Sequence, residues 1–398
     1  MTHKRIRIGM VGGGDGAFIG AVHRIATRID DGFELVAGAL SSDPDRALAS
    51  SRRLGIQEAR SYTSFYAMAE QEKRREDGIQ AVIIVTPNHM HYPVAKAFLE
   101  HGIHVICDKP VTKDLKEALE LKALVEKSGA FFALTHNYTG YPLVRHAKHL
   151  VDNNTLGKLR VIQVEYAQDW LTERAESTEN KQAQWRTDPE KSGMAGCLGD
   201  IGTHAFNLAC FISGQKVQQV SADLTAFVSG RRLDDNVHTM LRFDGGAKGM
   251  LWSSQVAPGN ENGLKIRLYG EKAGIEWCQE SPNELWLSIF GQPTQKITRA
   301  GHGAGEEANR LSRVPAGHPE GYLEGFANLY VDIAAAIHAI ESGASVDSVQ
   351  GFIPSIDDGV EGMRFITAVL ASSTNNSAWQ PLDDMESNGQ SARGKAND

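Results

Sequence analysis

The chain has 398 residues, enough for two domains, and its 41% hydrophobic and 23% charged residues are typical of a globular protein. Its formal net charge of -8 disfavours nucleic acid as a partner, because phosphate backbones would be repelled. The four cysteines form no C-x-x-C pair, so we predict neither a metal site nor a disulfide framework. There is no signal-peptide pattern and no run of about 18 apolar residues, which predicts a cytoplasmic protein with no membrane partner.

The first third of the chain alternates short apolar runs with helical patterns. The runs predict five strands, at 6–11, 33–40, 81–85, 104–107 and 131–134. Helical spacing around 94–98 and across 115–125 ends in each case near a glycine, Gly102 or Gly129. Strands that are apolar throughout and alternate with helices predict a doubly wound α/β domain, with a parallel sheet covered on both faces.

The pattern changes near His136, where strand-like runs begin to follow one another. They lie at 158–169, 217–228, 237–243, 247–256, 264–269 and 275–278. Turn signals between them predict an open, mostly antiparallel sheet in an α+β domain. We predict a long loop at 291–319 and helices at 322–340 and 357–373. The predicted division is therefore 1–135, 136–382 and a polar tail at 383–398.

A glycine cluster follows the first strand directly, from Gly12 to Gly20. Glycine lets the backbone approach a pyrophosphate closely, and the N-terminus of the following helix attracts negative charge. This context predicts a dinucleotide site, with Gly12, Gly14, Gly16, Phe18 and Ile19 as cofactor-binding residues.

The second strand ends at Ser41 and Ser42, where an acidic residue would hold the ribose of NAD and exclude a 2′-phosphate. Serines accept either cofactor, and Arg46 lies within one helical turn. The cofactor is predicted to be NAD or NADP, with NADP slightly favoured.

Two further motifs follow the third and fourth strands, where ligands bind in open parallel sheets. The first contains Thr86, Pro87, Asn88 and His91, and the second is Asp108-Lys109-Pro110. A proline restricts the residue before it to extended conformations, which fixes the direction of Lys109. Its ammonium can then stabilise negative charge on a reacting oxygen. A surface lysine in a loop is the alternative interpretation.

The motif Gly199-Asp200-Ile201-Gly202-Thr203-His204 places an acid and a histidine four residues apart. On a helix both face one side and can converge on a single substrate. A histidine with a nearby carboxylate is a suitable proton acceptor near neutral pH. An N-capping aspartate and a buried histidine are the alternative, and the combination with Lys109 favours the catalytic interpretation.

Together these motifs resemble the Gfo/Idh/MocA family, the glucose-fructose oxidoreductase and inositol dehydrogenase group, from about Arg5 to Leu382. The resemblance implies a Rossmann domain and an α+β domain whose open sheet often packs against another subunit. It implies Lys109 as catalytic lysine and Asp200 with His204 as the substrate-binding and acid/base pair. Residues of the second domain implied or predicted to bind substrate are Tyr138, Trp185, Arg186, Asp200, Thr203 and His204. Departures include five residues between Gly14 and Gly20, where the family usually has two.

These features predict an NAD(P)-dependent dehydrogenase acting on a sugar or cyclitol, assembled as a homodimer or homotetramer. Two alternatives from the same family remain open at this point. One is a glycosidase that uses NAD as a transient oxidant, and the other is a non-enzymatic sensor of dinucleotides or sugars.

Overall fold

The computed structural model describes residues 4–382. The predicted polar tail at 383–398 lies outside the described residues. Contacts divide the chain into two compact units, the first holding 4–141 and Glu320–Val360, the second Pro142–Pro319 and 361–382. The predicted division after residue 135 differs from these units, because the segment Glu320–Val360 groups with the first of them.

The first unit is built on a five-stranded parallel sheet with helices between the strands. Its strands are β1 (Ile6–Gly12), β2 (Phe33–Ala39), β3 (Ala81–Val85), β4 (His104–Cys107) and β5 (Phe132–Leu134). Its helices are α1 (Phe18–Ile29), α2 (Pro44–Arg53), α3 (Phe65–Arg74), α4 (His91–Leu99) and α5 (Leu115–Ser128), with 3-10 turns at Glu58–Arg60, Asn88–Met90 and Asn137–Gly140. The strand order is β2-β1-β3-β4-β5. Successive strands are therefore added to one side of β1 first and then to its other side, and the order reverses between β1 and β3. In such sheets ligands bind outside the carboxyl ends of the strands at this point.

The predicted strands are confirmed within one residue at each end. Local signals in the sequence explain the helix ends: the Asp114 carboxylate accepts from the backbone amide of Glu117, 2.9 Å away, and starts α5. Gly129 ends the same helix at φ 65°, a left-handed conformation that glycine adopts without strain. Local signals in the sequence therefore determine both ends of α5.

The helix α11 (Tyr322–Glu341), predicted at 322–340, belongs to the first unit. It is followed there by α12 (Val346–Val349) and the first residues of α13 (Ile356–Thr374). By length and composition α11 is apolar enough to cross a membrane. Phe326, Leu329 and Ile333 nevertheless lie in the hydrophobic core of the first unit. Packing in this core accounts for its apolar face and explains why the segment joins the first unit.

The second unit contains a nine-stranded sheet in the order β13-β12-β11-β10-β6-β9-β8-β7-β14. Its strands are β6 (Leu159–Ala167), β7 (Val217–Thr225), β8 (Asn236–Phe243), β9 (Lys248–Ser254), β10 (Gly263–Gly270), β11 (Ala273–Cys278), β12 (Glu284–Ile289), β13 (Gln295–Thr298) and β14 (Gln380–Pro381). The pair β6–β9 is parallel and the other described pairs are antiparallel. The prediction of an α+β domain with a mostly antiparallel sheet is confirmed.

The second unit also contains helices. They are α6 (Pro142–Asp152), α7 (Lys181–Arg186), α8 (Pro189–Ser192), α9 (Thr203–Ser213), α10 (Glu306–Arg310) and the later part of α13, with a 3-10 turn at Ala175–Ser177 and a π-helical turn at Leu198–Gly202. Of these helices, α6 and α9 pack against one face of this sheet. The opposite face leaves large apolar side chains partly exposed, at Val161, Met240, Met250, Tyr269 and Trp286.

The predicted loop at 291–319 is wrong in part, since it contains β13 and α10. The strand β13 is only four residues long and buries Ile297 against β12. The helix α10 is held by an ion pair between Glu307 and the buried Arg145, 2.8 Å apart. Both elements depend on contacts with distant residues, which a local pattern does not show. The strand predicted at 217–228 also ends early, because the Asp235 carboxylate binds the amides of Phe227 and Val228.

Candidate active-site residues in the two units

The glycine loop leaves β1 in a conformation that requires glycine. Gly12 and Gly13 have φ values of 79° and 69°. A Cβ atom on Gly12 would lie 2.8 Å from the carbonyl oxygen of Val85, and one on Gly14 would lie 2.7 Å from that of Leu40. The backbone therefore passes closely between the ends of β2 and β3.

Gly20 packs closely against the start of the glycine loop. A Cβ atom on Gly20 would lie 2.4 Å from the Cα atom of Gly13, so this pair provides the close contact between helix and strand. Gly16, at φ 78°, has no atom within 4 Å of such a Cβ. The segment 14–17 is the tip of this loop, and it faces open space at Gly16, whereas Gly14 lies against the end of β2.

A cavity of about 370 Å³ lies beside this tip, lined by Gly14, Gly16, Phe18, Ser50 and Arg53 among others. Phe18 is 65% exposed at the start of α1, whereas Ile19 is partly buried against the core. The Arg53 guanidinium pairs with the carboxylate of Asp15 in the tip, with 2.9 Å between Nη2 and Oδ2. The pair is exposed and contributes little stability, but it joins the loop to α2.

The end of β2 carries the two serines predicted to lie near the ribose. The Ser41 hydroxyl accepts from the backbone amide of Asp43 at 3.1 Å, and Ser42 is exposed. Asp43 itself caps α2, accepting from the amide of Arg46 at 2.8 Å. The acid nearest to the predicted ribose position is therefore engaged in starting a helix.

The segment after β3 contains Thr86, Pro87 and the buried Asn88. The Thr86 hydroxyl oxygen is buried without a protein hydrogen-bond partner. A buried hydroxyl of this kind, next to a backbone that admits no Cβ atom, fits a ligand such as a dinucleotide. The glycine loop and this threonine together support the predicted cofactor site.

His91 connects two of the predicted motifs. Its Nδ1 atom lies 2.7 Å from the carbonyl oxygen of Pro110, and its Nε2 atom lies 2.9 Å from that of Thr86. Burial lowers the pKa of His91, so the ring is neutral and donates to one of these carbonyl groups. His91 thus braces the two loops through their backbones, and its direct contact with the cofactor stays a prediction.

Asp108 and Lys109 follow β4 at the same edge of the sheet. The Asp108 carboxylate accepts from the Lys109 amide at 3.0 Å and from the Thr135 hydroxyl at 2.9 Å, which fixes the start of the motif. Burial, and then the positive charge of Lys109, lower the pKa of His136 to about 3. The Lys109 side chain therefore places its charge near the ends of β4 and β5.

In the second unit, Asp200 lies in the π-helical turn and His204 in the first turn of α9. The Asp200 Oδ2 atom accepts from the Gln255 side chain at 2.9 Å and from Arg186 at 3.2 Å. His204 is buried, with its ring centre 6.3 Å from that of Tyr166. The prediction that both belong to one helical segment holds, although the segment begins as a π helix.

The other predicted substrate residues have varied settings. Trp185 and Arg186 are adjacent in α7, and the guanidinium carbon of Arg186 lies 4.3 Å from the centre of the Trp185 ring. Thr203 is buried and its hydroxyl donates to the carbonyl oxygen of Gly199 at 2.9 Å. Tyr138 is buried in the first unit and stacks on Tyr141.

A polar network beside Asp200 was not predicted. From Gln255 it runs to Gln168 at 3.3 Å, then to Asn262 at 2.8 Å, whose oxygen also accepts from Tyr166 at 2.8 Å. Tyr166 and Gln168 lie at the end of β6, Gln255 directly follows β9, and Asn262 directly precedes β10. The pattern carries no local signal, because only sheet pairing brings the members together.

The described residues 4–382 contain no group of three or more His, Cys, Asp or Glu side chains placed to hold a metal ion. The four cysteines are free thiols, two of them buried. Burial raises the pKa of Cys107 and Cys197 well above the ordinary thiol value, which leaves them unreactive.

Two family models match the chain. The model of the oxidoreductase family with an NAD-binding Rossmann fold matches residues 6–136, and that of the GFO/IDH/MocA C-terminal domain matches 144–276. The chain belongs to the Gfo/Idh/MocA family of oxidoreductases. Its first unit contains the NAD-binding Rossmann domain, which confirms the predicted class of cofactor.

Several relatives of this Gfo/Idh/MocA oxidoreductase match over nearly their full length. The structure of an oxidoreductase from Sinorhizobium meliloti is 54% identical, with a TM-score of 0.85, covering 95% of this chain and 99% of the other. An inositol dehydrogenase homolog from Azotobacter vinelandii, complexed with NAD+, is 36% identical, with a TM-score of 0.91 and coverage of 95% and 97%. The structure of that homolog complexed with NADH and myo-inositol is 35% identical, with a TM-score of 0.88, and the match covers 95% of this chain and 98% of the other. The uncharacterized oxidoreductase YfiI of Bacillus subtilis is 35% identical over 94% of this chain and 96% of its own length.

Proposed function

We propose that this oxidoreductase is a dehydrogenase that moves a hydride between a nicotinamide cofactor and a hydroxyl-bearing carbon of a sugar or cyclitol. The observation that carries the proposal is the setting of Asp200, which is held by Gln255 and Arg186 four residues before the buried His204. The polar network behind Asp200 suits a substrate rich in hydroxyl groups. The complex of the Azotobacter vinelandii relative with NADH and myo-inositol supports this substrate class.

The cofactor would be held by the residues predicted for it, which share the carboxyl edge of the first sheet: Gly12, Gly14, Gly16, Phe18, Ile19, Ser41, Ser42, Thr86, Pro87, Asn88, His91, Asp108 and Lys109. When bound, the nicotinamide accepts or donates the hydride. Because Asp43 caps α2 and serines stand at the ribose position, we propose that both NAD and NADP are admitted.

Each of the three catalytic candidates has one role in this proposal. As hydride leaves the substrate carbon with its electron pair, the hydroxyl proton on that carbon passes to His204. Lys109 stabilises the negative charge that develops on the oxygen. Asp200 accepts hydrogen bonds from neighbouring substrate hydroxyls and orients the ring, with Trp185 and Arg186 beside it.

The test is a screen of cyclitols and cyclic sugars with NAD+ and NADP+, followed by kinetics of His204→Ala and Lys109→Ala. General-base catalysis is worth roughly a hundred- to ten-thousand-fold, so His204→Ala should lower kcat by at least about a hundredfold. Lys109→Ala should be similarly impaired.

The matched controls are His302→Ala and Lys116→Ala, which alter exposed side chains of the same types. Near-normal turnover of either catalytic variant would contradict the assignment and favour a sensor. Release of a sugar without net NADH formation would favour the glycosidase alternative.

A further inference from the structure

The connection between β7 and β8 carries two adjacent acids that bind different parts of the second unit. Asp234 faces the segment Gly196–Leu198, directly before the π-helical turn with Asp200. Asp235 faces the connection itself and the buried Arg231. Neither acid is among the residues assigned to the proposed reaction.

Asp234 makes an unusually dense set of contacts with three consecutive residues. Its Oδ1 atom accepts from the Gly196 amide at 2.6 Å, and its Oδ2 atom accepts from the Leu198 amide at 2.8 Å. The Cys197 thiol donates to the same Oδ2 atom at 3.2 Å, and the Cys197 amide donates to the backbone oxygen of Asp234 at 2.9 Å. A Cβ atom on Gly196 would lie 2.1 Å from that backbone oxygen, so the two segments are in direct contact.

These contacts act at the point where the helical segment begins. The amide of Asp200 already donates to the carbonyl oxygen of Gly196, 2.9 Å away. Amides in the first turn of a helix lack partners within the helix, and a carboxylate there is favoured by the helix dipole. Asp234 supplies that carboxylate from more than 30 residues further along the chain.

The turn that Asp234 contacts is of an uncommon kind. π-helical turns are rare, occur mostly as single turns within α-helices and frequently lie at functional sites. Asp234 binds this turn at its first residue, Leu198, and at the two residues directly before it. Any shift of this turn moves Asp200 and His204 together.

We propose that Asp234 is a positioning residue for the reaction, because it fixes the backbone from which Asp200 and His204 project. The proposal rests on the proposed function of those two residues. Burial raises the pKa of Asp234, and the amides of Leu198 and Gly196 oppose this rise by binding the charged form.

The neighbouring acid offers a matched comparison. Asp235 binds Arg231, and Arg231 donates to the carbonyl oxygens of Leu171 and Glu173 and pairs with Glu176 at 3.0 Å. Through Arg231, Asp235 therefore stabilises the segment 171–176 and not the π-helical turn. Glu176→Gln removes one charge from the ion pair with Arg231. It does not alter any of the contacts that Asp234 makes with the segment Gly196–Leu198.

The experiment compares Asp234→Asn, Asp234→Ala and Glu176→Gln in the full-length protein. Asparagine keeps one acceptor, so one of the two amides loses its partner, and alanine removes both acceptors. Since a misplacement of about 1 Å costs roughly a hundredfold in rate, we expect kcat to fall by about ten- to a hundredfold in Asp234→Asn and further in Asp234→Ala. The KM for substrate and the Kd for NADH should change by less than about threefold, and Glu176→Gln should keep kcat within about twofold.

Each variant is assayed at least 10 °C below its own Tm. If Asp234→Ala does not fold, the kinetics of Asp234→Asn provide the test. Parallel losses of kcat, NADH affinity and Tm would indicate general destabilisation and overturn the positioning role. If His204→Ala is inactive while Asp234→Asn turns over within twofold of the parent, the positioning role is also refuted. If His204→Ala itself is active, the proposed function has failed instead.

Discussion

Replacing Gly14 with alanine tests the glycine loop with a single methyl group. The added Cβ atom would lie 2.7 Å from the carbonyl oxygen of Leu40 and 3.3 Å from the Ser50 hydroxyl oxygen. Ordinary contacts begin near 3.4 Å, so the loop and the end of β2 must separate by about 0.7 Å. Overpacking of this kind typically costs about 1–3 kcal/mol.

The loop conformation that avoids the clash is displaced from the one that would bind the cofactor. Because 1.4 kcal/mol corresponds to a tenfold change in Kd, we expect NADH to bind roughly five- to a hundredfold more weakly. The assay is a fluorescence titration with NADH and NADPH, beside a thermal melt. The control is Gly129→Ala, which strains a left-handed position at the end of α5, and it should lower Tm but leave Kd unchanged. An unchanged Kd in Gly14→Ala would show that this loop does not hold the cofactor.

Two further predictions follow from the structure. Burial lowers the pKa of His23 from about 6.5 to about 4. The unfolded chain therefore takes up a proton at a higher pH than the folded protein does. The contribution of His23 to the free energy of unfolding is complete above pH 6.5 and falls between pH 6.5 and 4, by on the order of 3 kcal/mol. In chemical denaturation, the free energy of unfolding of His23→Gln should fall less than that of the parent between pH 6.5 and 4, by that amount. An equal fall in both proteins would contradict the assignment. The second concerns assembly: Met240 and Met250 are cross-strand neighbours, 59% and 49% exposed on the open face of the second sheet, and we predict a homodimer or homotetramer through this face. Light scattering at micromolar concentration should show a smaller assembly for Met250→Lys than for the parent or for a Tyr66→Ala control, and a monomeric parent would refute the prediction.

The parts of the fold that local physics determines could be predicted from the sequence. The strands of the first sheet are continuous apolar runs, and α5 begins at an aspartate and ends at a glycine. The glycine cluster also showed where the chain would approach a ligand. The close contact between Gly13 and Gly20 could not be predicted from the spacing of the glycines alone.

Contacts between distant residues explain what the sequence did not predict. The helix α11 was located by its period, but its place in the first unit depends on contacts such as that of Tyr330 with His23, 2.6 Å apart. Similarly, Gln255 lies in the strand predicted at 247–256 and belongs to no motif, yet its side chain binds Asp200. A motif reveals residues that chemistry requires, whereas the residues that orient them depend on pairing and packing.

The motif around Asp200 shows how these two kinds of information combine. Gly202 lies where the π-helical turn passes close to β9: a Cβ atom there would lie 3.0 Å from the Ser253 hydroxyl oxygen. The acid and the histidine are therefore carried on a backbone pressed against the sheet at one side and bound by Asp234 at its start. π-helical turns are rare and frequently lie at functional sites. Because β9 and Asp234 both contact this turn, variants of the supporting residues should alter catalysis without touching the reacting groups.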